Sequence, residues 1–252
     1  MVLGSSFTLM HLFKSRDGID LGSQGSWPPG VYLLEDLTAA DFLQFGRRGA
    51  SAMMSIDINP KPFNEKEDWN ARRILIVRPG GYGDLLFLTP HIAELKRRWP
   101  NCVVHVCAYA RFQDILRVSE ADAIVGYPIS LEDAQSYDAW IFLENVIEGN
   151  PEAEKEHCVD VIAQRFGLSG LQDKRMRYTV TSDERVWAEN TFPRVHGKGR
   201  IAIQIEASGR ARNYPAHLMT EVIIRLAQKG FEVYLLGQPG SCLLYTSPSP
   251  RD

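Results

Sequence analysis

The stretch Arg73-Ile-Leu-Ile-Val-Arg-Pro-Gly-Gly-Tyr-Gly-Asp84, running straight into Leu-Leu-Phe-Leu-Thr-Pro90, constrains this chain more than any other segment. A short β-branched run reads as a buried parallel strand. The glycine cluster permits a tight turn with close backbone approach, and Thr89-Pro90 ahead of a 3.6-period apolar stripe marks the start of a helix. Strand, glycine loop and helix in that order make a ligand-binding corner. The spacing is neither the G-x-G-x-x-G of a dinucleotide fingerprint nor the Gly-Lys-Ser/Thr ending of a P-loop. It does place a carboxylate, Asp84, beyond the carboxyl end of a strand, where open α/β sheets hold their chemistry.

The rest of the chain continues the rhythm. Strands are predicted at Ile74 to Val77, Val103 to Ala108, Ala123 to Tyr127 and Ala139 to Leu143, with a helix around Pro90 to Arg98. Val159, Ile162, Ala163 and Phe166 recur at helical spacing and Gly167 is placed to end that helix. Arg177 to Thr181 reads as a connecting strand and Asp183 to Asn190 as a helix. Strand Ile201 to Ile205, helix His217 to Gln228 and strand Glu232 to Leu236 form a further β-α-β unit. Alternating strands and helices imply an α/β fold of doubly wound parallel sheets. Residues 1–70 lie outside this rhythm and read as an extension of unknown role. Within them Ser15 to Gly30 reads as loop, Leu37 to Phe45 as a short amphipathic helix with Thr38 as N-cap, and Lys61 to Asn70 as a linker.

Composition excludes several classes. A formal charge of -3 over 252 residues leaves no basic footprint for nucleic acid, and no apolar stretch approaches the roughly 18 residues that span a bilayer. Cys102, Cys107, Cys158 and Cys242 form no C-x-x-C pair, fit a reducing, cytoplasmic compartment, and read as small buried apolar groups. The histidines are dispersed without acidic partners at ligand spacing, so no metal site is assigned. Lys96-Arg97-Arg98 reads most simply as the wet face of a helix, or as a peripheral contact with a membrane surface.

Gly83-Asp84, Leu85-Leu86, Thr89-Pro90, Leu95-Lys96 and Trp99-Pro100 together resemble the opening of glycosyltransferase family 9, the heptosyltransferases of bacterial lipopolysaccharide synthesis. A second match lies in Ile201 to Ser208, Ala211 to Pro215 and Gly230 to Gly237, which resemble the opening of that family's second domain. The resemblance covers roughly Arg72 to Ser241. It implies a GT-B-like arrangement of two Rossmann-like domains: an acceptor-side domain over residues 71–181, a connection over 182–199 and a donor-side domain begun over 200–241. Residues 242–252, with a Pro-Ser repeat and no apolar period, resemble translated adapter read-through, so the reading frame is expected to be truncated and the second domain incomplete.

By the same resemblance the activity is transfer of a heptose, or a related sugar, from ADP-heptose to a lipopolysaccharide-type or lipid-linked glycan acceptor, by metal-independent inverting displacement and with no cofactor. Asp84 falls on the family's general base, although Asp beside Gly at a helix start is also a common cap. Gly80, Gly81 and Gly83 read either as positive-φ turn residues or as a floor over which an acceptor approaches the backbone. Arg78 could contact an anionic acceptor or be solvated or ion-paired. Ser208, Arg210 and Arg212 lie in a loop ahead of a helix and would hold the donor diphosphate. Arg212 replaces the family lysine of Lys-x-Trp-Pro and Tyr214 the tryptophan, while Gln204-Ile-Glu206 departs from His-Pro-Gly and sets a carboxylate beside the expected anion. The alternatives are a nucleotide- or sugar-binding protein without turnover and an interaction protein acting through residues 1–70.

Overall fold

A computed structural model describes residues 62–144, 146–147, 150–192, 198–205 and 213–237, with the backbone of five strands between residues 10 and 56. The chain divides into two compact units, residues 1–179 and 180–252.

The first unit is built on β6 (Arg73–Val77), whose four apolar residues are all fully buried. Side chains alternate along a strand. Ile74 and Ile76 therefore enter one apolar cluster, with Leu85, Leu88, Ile92 and Phe166, while Leu75 and Val77 enter a second, with Ala134, Trp140 and Phe142. A strand covered on both faces must be apolar at every position, which is why this run reads as continuous instead of alternating. Parallel strands β7 (Val103–Ala108) and β9 (Ala139–Phe142) flank β6, and β8 (Ala123–Gly126) lies outside β7, in the order β8-β7-β6-β9. The chain thus runs outward from β6 through β7 to β8 and then returns to the opposite side of β6. That reversal leaves a crevice between the carboxyl ends of β6 and β9.

Between β6 and β7 lie a one-turn helix, α1 (Tyr82–Leu86), and α2 (Thr89–Arg98), which has Pro90 in its first turn. Helix α3 (Leu131–Gln135) is capped by the Ser130 hydroxyl, which accepts the Asp133 N–H at 3.0 Å. Helix α4 (Cys158–Phe166) ends at Gly167 with φ 70°, the left-handed cap that its position in the sequence predicts. Fully buried His91 joins α2 to α4, its ring nitrogens 2.9 Å from the carbonyl oxygens of Phe87 and Val159. Both carbonyls favour the charged ring, but burial outweighs them and lowers its pKa. The Lys96-Arg97-Arg98 run is not a free face: Lys96 pairs with Asp122, and Arg97 and Arg98 both pair with buried Glu94. Those two arginines, Arg97 first, hold the Glu94 carboxyl below its ordinary range.

Within the segment read as linker, residues 62–70 contribute to the core. Phe63 stacks on Trp69 at 5.0 Å, Trp69 is buried, and Glu65 binds both Arg98 and the Ser169 backbone N–H. Further upstream, β1 (Met10–Ser15), β4 (Gly30–Glu35) and β5 (Ala50–Ile56) form an antiparallel sheet in the order β4-β1-β5, and β2 (Ile19–Asp20) pairs with β3 (Ser26–Trp27) inside the segment read as loop. Leu37 to Phe45 lies outside the described residues. Residues 173–180 carry no strand, so the connecting strand expected at Arg177 to Thr181 is absent there; Arg177 donates its backbone N–H to the Thr89 hydroxyl instead of to a sheet.

In the second unit, α5 (Ser182–Thr191) starts in a capping box between Thr181 and Glu184. Strands β10 (Arg200–Gln204) and β11 (Glu232–Leu236) pair in parallel across α6 (Ala216–Gln228). None of the α6 side chains is buried, and Leu218, Val222 and Ile224 are exposed. Among the described residues, no helix is long and apolar enough to cross a membrane.

This contrast in burial sets an expected order of opening. Amides of β6 and β7 should exchange at least about tenfold more slowly than those of β10 and β11, because the latter protect each other without a covered core. Native-state hydrogen exchange read strand by strand checks this, and equal protection in the two sheets would contradict it.

Candidate functional site

The carboxyl end of the first sheet collects polar groups that the core would otherwise exclude. Arg78 follows β6 and is only 1% exposed. Its Nη1 donates to the carbonyl oxygens of Leu143 and Glu144 just beyond β9, the first at 2.7 Å, and its Nη2 pairs with Asp84 Oδ1 at 2.9 Å. The guanidinium therefore spans the crevice at the sheet's reversal point. Of the alternatives open for Arg78, the ion pair is the one found, and the side chain is turned inward instead of toward an acceptor. A buried arginine with a planar fork suits this task because its charge does not titrate and its donors point in fixed directions.

Asp84 occupies the third position of α1, where Oδ2 accepts the Gly81 N–H at 2.8 Å while the carboxylate stays 30% exposed. It is thus a cap and an ion-pair partner at once, with both oxygens held by donors and one side open to solvent. Gly80 explains the loop composition. A Cβ on Gly80 would sit 2.8 Å from Asp84 Oδ2 and 3.0 Å from its Cβ. The glycine is required by close approach, and none of Gly80, Gly81 and Gly83 takes the positive φ expected of a turn glycine. Gly83 is exposed, with nothing within 4 Å of a Cβ built on it, so it faces open space.

Two more groups join this edge. Tyr127, just past β8, packs edge-on against Tyr109 at 4.9 Å and feels the Glu144 charge. Burial first, and then the Glu144 charge, hold the Tyr127 hydroxyl protonated well above the ordinary phenol range. Burial likewise pushes the Cys107 thiol up, in keeping with its role as a small apolar group. Glu144 and Tyr127 were not singled out in the sequence, although both follow strands at the same edge as Asp84. That positional rule was the available signal.

Ser208, Arg210, Arg212 and Glu206 lie outside the described residues. They fall between β10 and α6, and Tyr214, which follows them, is exposed. Among the described residues no three His, Cys, Asp or Glu side chains stand together as a metal-binding group.

Comparison with known proteins returns structures alone; no protein-family model and no curated protein matches the chain. A glycosyl transferase family 9 protein from Veillonella parvula superposes with a TM-score of 0.54 at 11% identity, over 71% of this chain and 66% of that one. What the two share is the fold. The E. coli ADP-heptose lps heptosyltransferase II is similar at 18% identity over 66% of this chain and 64% of that one, with a TM-score of 0.48. An iron-containing dodecameric glycosyltransferase from enterotoxigenic E. coli gives 13% identity over 94% and 60%, with a TM-score of 0.45. The chain spans just under two thirds of the length of the first two. The GT-B-like α/β class expected from the sequence is thus matched in fold.

Removing the Asp84 carboxylate would leave the Arg78 charge buried without its counter-ion. Asp84→Ala is expected to cost about 3 kcal/mol, the lower end for a broken buried pair because the carboxylate is partly solvated. Asp84→Asn, which keeps the shape and one acceptor oxygen but turns an amide NH2 toward the other donor, should cost less. Gly80→Ala, by displacing the carboxylate, should destabilise by about 1–3 kcal/mol. Urea unfolding followed by tryptophan fluorescence gives all three, and a Gly80→Ala variant as stable as the parent would show that the Asp84 side chain is free to move.

Proposed function

We propose that this chain carries the acceptor side, and the beginning of the donor side, of an inverting glycosyltransferase. The observation that carries the reading is the Asp84 carboxylate, half-open at the reversal point of a doubly wound sheet and held by the buried Arg78 guanidinium and the Gly81 N–H. Both partners are donors, and each takes one of the two carboxylate oxygens as its acceptor. An acceptor hydroxyl lying over Gly83 would give its proton to Asp84 as its oxygen bonds to the anomeric carbon. The bond from that carbon to the diphosphate oxygen breaks in the same displacement, which inverts the configuration.

The donor is proposed to be a nucleoside-diphosphate sugar, ADP-heptose or a relative, with Ser208, Arg210 and Arg212 holding its diphosphate ahead of α6. The acceptor would be a glycan or lipid-linked glycan, met in the cytoplasm or at the inner membrane face. Support for the sugar and the acceptor comes from the motif resemblance, and support for the fold from the Veillonella protein. A binding protein without turnover is the second reading, favoured by the capping bond from Gly81 to Asp84, which gives that residue a structural use of its own.

Nucleotide release from ADP-heptose, measured with and without a lipopolysaccharide-core acceptor, separates the two. Asp84→Asn should lower turnover by about 10² to 10⁴, as expected for a lost general base, with ADP affinity unchanged. Arg212→Ala should weaken ADP binding by about 1.5–3 kcal/mol, and Glu206→Gly should strengthen it by removing a like charge. Turnover in Asp84→Asn equal to the parent would leave the residue a cap, and unchanged ADP affinity in both loop variants would remove the diphosphate site from that loop.

A further inference from the structure

A second cation stands at the same edge of the first sheet and takes no part in holding Asp84. Arg111 lies in the 3₁₀ segment Ala110–Leu116 that follows β7, and it is exposed. Its guanidinium sits over the Phe112 ring at 4.5 Å and within 5.8 Å of the Tyr109 ring centre. Among the described residues it makes no ion pair, even with Asp114 three positions on, whereas Arg72, Arg78, Arg97, Arg98, Arg175 and Arg177 are all paired with carboxylates. An arginine laid on an aromatic face is fixed in place, yet the in-plane N–H groups stay free to donate. A positioned, unneutralised fork is a recognition element for a carboxylate or a phosphate.

Tyr82 ties this cation to the candidate base. It belongs to α1, two residues before Asp84, and its hydroxyl donates to the Arg111 carbonyl oxygen at 3.0 Å. Its ring meets Phe112 edge-on at 5.1 Å, but 53% of the residue remains exposed, a large aromatic surface left open at the rim of the sheet. Between Tyr82 and Asp84 lies Gly83, with open space where a side chain would be. An aromatic plate, a vacant floor and a carboxylate on one turn, with a fixed cation joined to the plate, suit a sugar ring carrying a negative group.

We propose that Tyr82 and Arg111 form an acceptor subsite for an anionic sugar, with Tyr82 packing on the ring and Arg111 binding its carboxylate or phosphate. The inference rests on the glycosyltransferase reading for the word acceptor, and on the geometry alone for the anion.

Glucose, glucuronate and glucose 6-phosphate, titrated into the chain at physiological salt and followed by ligand-detected NMR, test it. One or both charged sugars should bind at least about tenfold more tightly than glucose, and which of them does so distinguishes carboxylate from phosphate. Arg111→Gln, an exposed substitution, should erase that preference without changing glucose binding, and Tyr82→Ala should weaken all three sugars alike. Equal binding of the three sugars by the parent chain, or a preference that survives Arg111→Gln, would overturn the subsite. A preference that depends on Arg111 in a chain that releases no nucleotide from any donor would keep the anion site and remove the reaction.

Discussion

The buried Arg78 guanidinium is the contact on which the rest of this site depends. A doubly wound sheet opens where its strand order reverses, and here the reversal falls between β6 and β9. Carbonyl oxygens at that point have no further strand to pair with, and Leu143 and Glu144 present two of them to one side chain. A fully buried charge is tolerated only when its donors are met. Two carbonyls take up Nη1 and the Asp84 carboxylate takes up Nη2, so the acid is held where the crevice opens. The glycine at position 80 follows from the same contact, since the carboxylate occupies the volume that a Cβ would need.

Support for this edge comes from packing far from it. The alternation of Ile74, Leu75, Ile76 and Val77 divides the core into two clusters, one beneath α2 and α4 and one beneath α3. Both faces are closed, so β6 cannot shift register without exposing apolar side chains. His91 and Arg98 lock α2 to its surroundings, and Glu65 draws the segment before β6 onto the end of α4. The second unit has no comparable core among its described residues, only Ile205 being buried there.

Much of the first sheet was legible because its strands are short, apolar and separated by strong breakers. Gly167 was readable as a helix stop since few other residues accept a left-handed conformation. Pro, Asn and charge dominate the composition of the segment read as linker, yet Phe63 fixes residues 62–70 by packing on Trp69, Trp99 and Phe166. Pairing of β2 with β3 was missed for a related reason: two-residue strands carry no detectable period. Arg177 to Thr181 reads as a connecting strand, but the Arg177 N–H finds a hydroxyl partner instead of a neighbouring strand.

The sequence by itself determined that a buried parallel strand ends in a glycine loop with an acid behind it, because local periodicity and turn chemistry act over a few residues. It also carried the two motifs whose order resembles family 9 glycosyltransferases, and the fold comparison agrees with them. Only the tertiary structure decided what the acid touches. Whether Arg78 faces solvent or the crevice depends on carbonyl oxygens 65 and 66 residues away in the chain, and the hold on Asp84, with the space it takes from Gly80, follows from that placement. Arg78 meets those groups only when β9 returns to lie beside β6. No local pattern records that return, since it is set by the burial of both sheet faces together.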